Sequence, residues 1–170
     1  VLISQHRILT GYVTVLAAAA IGLCTTLIVT GYRLESPLVV LCLAVATAVS
    51  ERWSVRVSAT TELTVYLLPT VFAAVVFGPL AAGIIAAASM LGDTEVFRHG
   101  GRERAPVLKW INYTSASFIT GALAGLTAQF FDGESLGAIV ASTFAAMAVA
   151  EASDFLFAVV SSQIAQLAAR

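Results

Sequence analysis

From Leu63 to Gly92 the chain carries no charged residue, and Glu62 and Asp93 bracket that run. Gly78 and Pro79 stand in its middle: the glycine ends one helix, and the proline fits the first turn of the next, where its missing N–H has no partner to lose. Two apolar helices joined with almost no loop belong in lipid, where a helix satisfies all its backbone polar groups internally. Everything else in the chain is arranged around this hairpin.

Composition agrees. Of 170 residues 59% are hydrophobic and 11% charged, with a mean hydropathy of +0.92, whereas a soluble domain is about 25% charged. The reading is an all-α integral membrane protein with one domain and six transmembrane helices. A net charge of -1 says nothing about partners, because in membrane proteins the placement of Lys and Arg matters and their sum does not. Nothing points to nucleic acid. Cys24 and Cys42 each fall inside an apolar segment, as small hydrophobes. The chain begins without Met and reaches Arg170 inside a helical pattern, so we expect a piece of a longer protein.

In chain order the helices are expected over 8–31, 38–50, 63–77, 80–91, 108–131 and 136–166. The first is long enough to cross about 30 Å of hydrocarbon, and its Ala18 and Gly22 form a small-xxx-small pair suited to close helix approach. Packing inside the domain is the plainer use of that pair; docking an external partner is the other. VRVSATTELT, Val55 to Thr64, is roughly alternating and rich in β-branched residues, which predicts an extended or re-entrant segment. Pro69 predicts a kink in the third helix. The fourth, full of Ala and Gly, is expected to be enclosed by its neighbours. The polar interval Asp93 to Pro106 is the long hydrophilic loop. The sixth helix, about 46 Å long at 1.5 Å per residue, is expected to project beyond the bilayer.

With six crossings, one side collects Arg7, Arg52, Arg56, Arg98, Arg102, Arg104, Lys109 and Arg170, against Arg33 on the other. That asymmetry places both termini in the cytoplasm of a cell-membrane protein.

Ionisable groups within spans are functional candidates by default. Glu151 and Asp154, at i and i+3, share a helix face. Counting inward from the outer helix ends at 1.5 Å per residue puts Glu62, Glu151, Asp154 and Asn112 at about 22 to 28 Å and Lys109 at about 33 Å. These form either a proton- or cation-responsive cluster or, more commonly, a structural network in which Lys109 pairs with Asp154 and Asn112 bridges. No nucleophile–base pair, metal-ligand cluster or phosphate-cradling loop is present, so neither catalysis nor a metal or other cofactor is expected. Thr25, Thr26, Thr30, Tyr32, Thr120, Thr127, Gln129, Ser142 and Thr143 in the outer half are candidates for lining a small-molecule pocket, although hydroxyls bonded back to their own helix are commoner.

SATTELTVYLLP followed by FGPLAAG resembles the substrate-binding S component of energy-coupling-factor vitamin transporters. It is also similar to the membrane sensor region at the N-terminus of bacterial HD-GYP phosphohydrolases and diguanylate cyclases, which Lys109-Trp110-Ile111-Asn112 resembles further. The resemblance implies a six-helix S-component-like bundle with cytoplasmic termini and ligand recognition from the outer face. The expected function is a sensory or ligand-binding domain that signals through its last helix to a cytoplasmic effector domain. The alternative is a vitamin transport subunit docked on an energising partner through Ala18 and Gly22. A homo-oligomer is a further expected partnership.

Overall fold

Proline opens the helices of this chain. Pro37, Pro79 and Pro106 are the first residues of α2 (Pro37–Arg52), α4 (Pro79–Ala88) and α5 (Pro106–Ala128), where the ring's fixed φ suits the helix. The remaining helices are α1 (Leu2–Val29), α3 (Leu67–Val76) and α6 (Leu136–Ala169), and short 3₁₀ turns, Ser89–Leu91 and Gln129–Phe131, close α4 and α5. The structure, a computed structural model, describes residues 2–52, 55–56, 62–63, 67–92, 106–131, 133 and 135–169. Within them the fold is all-α apart from one short pairing of β1 (Val55–Arg56) with β2 (Glu62–Leu63), antiparallel, Val55 opposite Leu63 and Arg56 opposite Glu62.

That pairing answers the extended pattern of the sequence and corrects one boundary. The third helix starts at Leu67, after Leu63 has been used as strand. Pro69 is consequently the third residue of α3 and produces no kink, because first-turn N–H groups have no intrahelical acceptor to lose. The rest of the 55–64 segment and the loop from Asp93 to Ala105 lie outside the described residues.

Two glycines adopt backbone that other residues avoid. Gly31 (φ 99°) ends α1, with the Gly31 N–H on Ile28 O and the Tyr32 N–H on Leu27 O, both at 3.1 Å, the crossed pair of a Schellman cap. Gly78 (φ 81°) makes the turn between α3 and α4.

α4 is the buried centre: Pro79 to Gly83, Ile85 and Ala86 are all buried. It lies against α5 at backbone distance, since a Cβ added at Gly121 would sit 2.5 Å from Ala82 O and 2.8 Å from the Ala86 Cβ, and one at Gly83 would fall 2.9 Å from the Phe118 ring. Two adjoining clusters form the core, one around Val71, Ala82, Ile85 and Ala146, the other around Leu27, Leu80 and Phe118. The α6 helix packs on α5, α3 and α1, while α2 covers α4 from the other side.

Two helical stretches, Ile8–Val29 and Leu136–Ile164, are long and apolar enough to cross a membrane. Their outer sides carry large apolar groups facing away from the protein, with Val15, Ile21, Phe144 and Phe155 between 68% and 71% exposed. Cys42 is exposed on α2 and Cys24 half-buried on α1, both as free thiols.

Candidate functional site

α1 and α5 run in the same direction and α6 returns against them. At one end the Tyr12 hydroxyl lies 3.3 Å from Ser161 Oγ, and at the other the Tyr32 hydroxyl donates to Gln129 Oε1 at 2.5 Å. The second contact stands at a half-open cleft of about 690 Å³, within the usual range of small-molecule sites. Its walls come from Tyr32 to Glu35 after α1, the end of α3 and its turn into α4 (Ala74 to Gly78), the end of α5 with its 3₁₀ turn (Ala128, Gln129 and Phe131), and Ile139 and Ser142 on α6.

Local rules deliver these groups. The Gly31 cap turns the chain so that Tyr32 crosses to Gln129. Gly78 leaves room for Gln129, whose Nε2 lies 3.3 Å from where a Cβ at Gly78 would be. The floor is apolar, through Ala74, Val75 and Ala128, and the rim carries Arg33, Glu35, Gln129 and Tyr32. An apolar surface with a few convergent polar groups holds a small amphipathic molecule by burial and orients it by hydrogen bonding.

Of the outer-half polar residues, Tyr32, Gln129 and Ser142 do line the cleft. Most of the hydroxyls bond back to their own helix: Thr25 to Ile21 O, Thr26 to Gly22 O, Thr127 to Leu123 O and Thr143 to Ile139 O, at 2.7 to 2.9 Å. Ser142 does so as well, on Ile139 O at 2.9 Å. Thr120 is different: its Oγ1 donates to Asp154 Oδ1 across the α5–α6 interface at 3.1 Å.

The expected single-level polar cluster is divided. Asn112 is buried, its Nδ2 3.5 Å from Ser161 Oγ and its Oδ1 without a hydrogen-bond partner. Asp154 is half-buried and belongs to the Thr120 level, eight residues or about 12 Å along α5 from Asn112. Glu151 is exposed on α6. Lys109 is exposed, with its Nζ 6.0 Å from the centre of the Tyr113 ring. Eleven residues, about 16 Å of helix, separate Lys109 from Thr120, so the expected Lys109–Asp154 ion pair does not form. Only the backbone of Glu62 is described, in β2, and its side chain lies outside the description.

The outer ends of α5 and α6 are not level. Level ends would put Asp154 beside Asn112; Ser161 stands there instead, seven residues or about 10 Å further along α6. α5 stops early in its 3₁₀ turn, and α6 starts beyond it to wall the cleft. Ala18 and Gly22 are exposed, and a Cβ at Gly22 would meet nothing within 4 Å, so the plainer expectation, packing inside the domain, is corrected. Among the described residues no group of three His, Cys, Asp or Glu comes together to hold a metal.

The geometry defines a class, an all-α bundle with a small-molecule-sized cleft at one end and one helix running from that cleft to the other end. Comparison with protein-family models, curated proteins and solved structures finds no match.

Proposed function

We propose that the chain is a membrane-embedded, S-component-like ligand-sensing domain, crossing the bilayer six times with both termini cytoplasmic and the cleft facing outward. A single observation carries the reading. Ile139 and Ser142 on the first turns of α6 form part of the cleft wall, and the same 34-residue helix runs on from Ser142 for about 40 Å, past Asp154 and Ser161. A ligand with unequal affinity for two positions of α6 shifts the far end of that helix, where an effector domain reads the change. The exposed apolar belt on α1 and α6, and the placement of eight of nine Lys and Arg residues on one side, support the orientation.

The test is a thermal-shift screen of the detergent-solubilised chain against a panel of vitamins, nucleobases and amino acids. A binder at 100 times its Kd stabilises the native state by about 2.7 kcal/mol. Ser142→Leu, which fills the cleft from α6, is expected to abolish the shift; because Ser142 is buried, the larger side chain also lowers unliganded stability by about 1–3 kcal/mol, and the ligand-induced shift is read against the variant's own baseline. A shift that survives this substitution places binding elsewhere.

One observation favours a second reading, a transport subunit. Ala18 and Gly22 present a smooth outward face to which the backbone of another membrane helix can come close. If that is its use, Gly22→Leu abolishes co-purification with an energising partner and leaves ligand binding intact.

A further inference from the structure

We propose that the cleft takes a small zwitterion of the α-amino-acid class with a bulky apolar side chain, its carboxylate on Arg33 and its ammonium on Glu35. This rests on the ligand-sensing reading above and gives its ligand a class.

Among the described residues that line the cleft, Arg33 and Glu35 are the charged ones. Both stand in the short connection between α1 and α2, and neither side chain makes a hydrogen bond or ion pair with another described residue. Arg33 offers a planar fork of N–H donors that fits both oxygens of a carboxylate, and the Glu35 carboxylate accepts from an ammonium. Two residues of chain reach at most about 7 Å, so the two charges are presented side by side. A molecule that carries carboxylate and ammonium on one carbon meets both at once. A ligand with a single charge leaves one of the two side chains without a partner, and a neutral nucleobase leaves both.

A neutral donor stands in the same cleft. The Tyr32 hydroxyl donates to Gln129 Oε1, which holds the amide with its Nε2 beside Gly78, another residue of the wall. The N–H groups of that nitrogen supplement Arg33 in holding a carboxylate.

The remaining surface sets the other end of the ligand. The cleft, at about 690 Å³, is far larger than a charged head group alone would fill. Val75, Phe77 and Phe131 line it, and they give a branched or aromatic side chain an apolar surface to bury against. Ile139 on α6 belongs to the same wall. The apolar end of the ligand is thereby brought against the helix that carries the signal, while its charged end is held by the α1–α2 connection.

The experiment measures binding to the detergent-solubilised chain, read as the shift of the unfolding midpoint across a concentration series, with L-phenylalanine and L-leucine as probes. Two relatives of L-phenylalanine each remove one charge: the methyl ester lacks the carboxylate, and the N-acetyl derivative lacks the ammonium. Both are expected to bind at least tenfold more weakly than L-phenylalanine, and so is glycine, which lacks the side chain. Arg33→Gln is expected to weaken L-phenylalanine at least tenfold and to erase its advantage over the methyl ester; Glu35→Gln is expected to erase its advantage over the N-acetyl derivative. Arg33 and Glu35 are exposed, so both variants keep the unliganded unfolding profile of the parent and their losses report binding. Equal affinity for L-phenylalanine and its two derivatives, unchanged affinity in either variant, or an amino-acid shift that survives Ser142→Leu would each overturn the assignment. The two readings fail separately. A vitamin or nucleobase that binds, loses its shift in Ser142→Leu and is not matched by any amino acid overturns the zwitterion and keeps the ligand-sensing reading, whereas no shift from any compound overturns both.

Discussion

Glu151 and Asp154 are three residues apart on one helix, yet one faces out and the other accepts a hydrogen bond from Thr120. Three residues are 60° short of a full turn, enough to divide them at the edge of the packed face. Thr120→Val removes one donor from the half-buried Asp154 side chain and is expected to destabilise the chain by about 1 kcal/mol, because hydrogen bonds in membrane proteins return less than in water-soluble ones. Glu151→Gln is expected to change monomer stability by less than about 0.5 kcal/mol. Equilibrium unfolding in mixed micelles checks both. The two carboxylates could be found by reading the chain, since ionisable residues in apolar segments stand out; their different surroundings could not, because α6 is apolar around its circumference and carries no stripe to mark the inward side.

At the scale of elements the same ambiguity attends the small residues. Ala18 and Gly22 on α1, and Gly121 and Gly125 on α5, are both small-xxx-small pairs. The second pair is where α5 meets α4 at backbone distance; the first faces away from the protein. Gly121→Val is therefore expected to cost about 1–3 kcal/mol by overpacking against Ala82 and Ala86, whereas Gly22→Val should fall within about 0.5 kcal/mol of the parent. Unfolding of the two variants side by side decides this, and equal losses would mean that α1 packs through Gly22 after all. Helix boundaries were more legible than helix faces. Gly78-Pro79 announced the α3–α4 turn and α4 is enclosed as its Ala and Gly content implied, while Pro69 misled because a proline reports a break only after the first turn of its helix has been located.

For the whole molecule the cleft, with Arg33 on its rim, stands at one end of the bundle and Lys109 near the other, and the proposed orientation turns this into a measurement. A cysteine at Ser135, in the connection before α6 at the cleft end, is expected to react with a membrane-impermeant maleimide added to intact cells, and a tag after Arg170 to be protected until the cells are opened. The reverse pattern would place the cleft in the cytoplasm and remove the outside-in route along α6. A binder from the thermal-shift screen should also slow labelling at Ser135 if it occupies the cleft.

Composition and local stereochemistry were enough to establish an all-α chain with two helices long and apolar enough to cross a membrane. The scarcity of charge, the length of α1 and α6, and the prolines that open α2, α4 and α5 are properties of short stretches, and short stretches carry them unaided. The levels of the polar groups and the cleft depended on the stagger between α5 and α6 and on Gln129 reaching Tyr32 from 97 residues away. Those relations are set by how the small residues of α4 and α5 let their backbones close on each other. No periodicity within a single helix encodes that distance, so only the packed bundle could decide it.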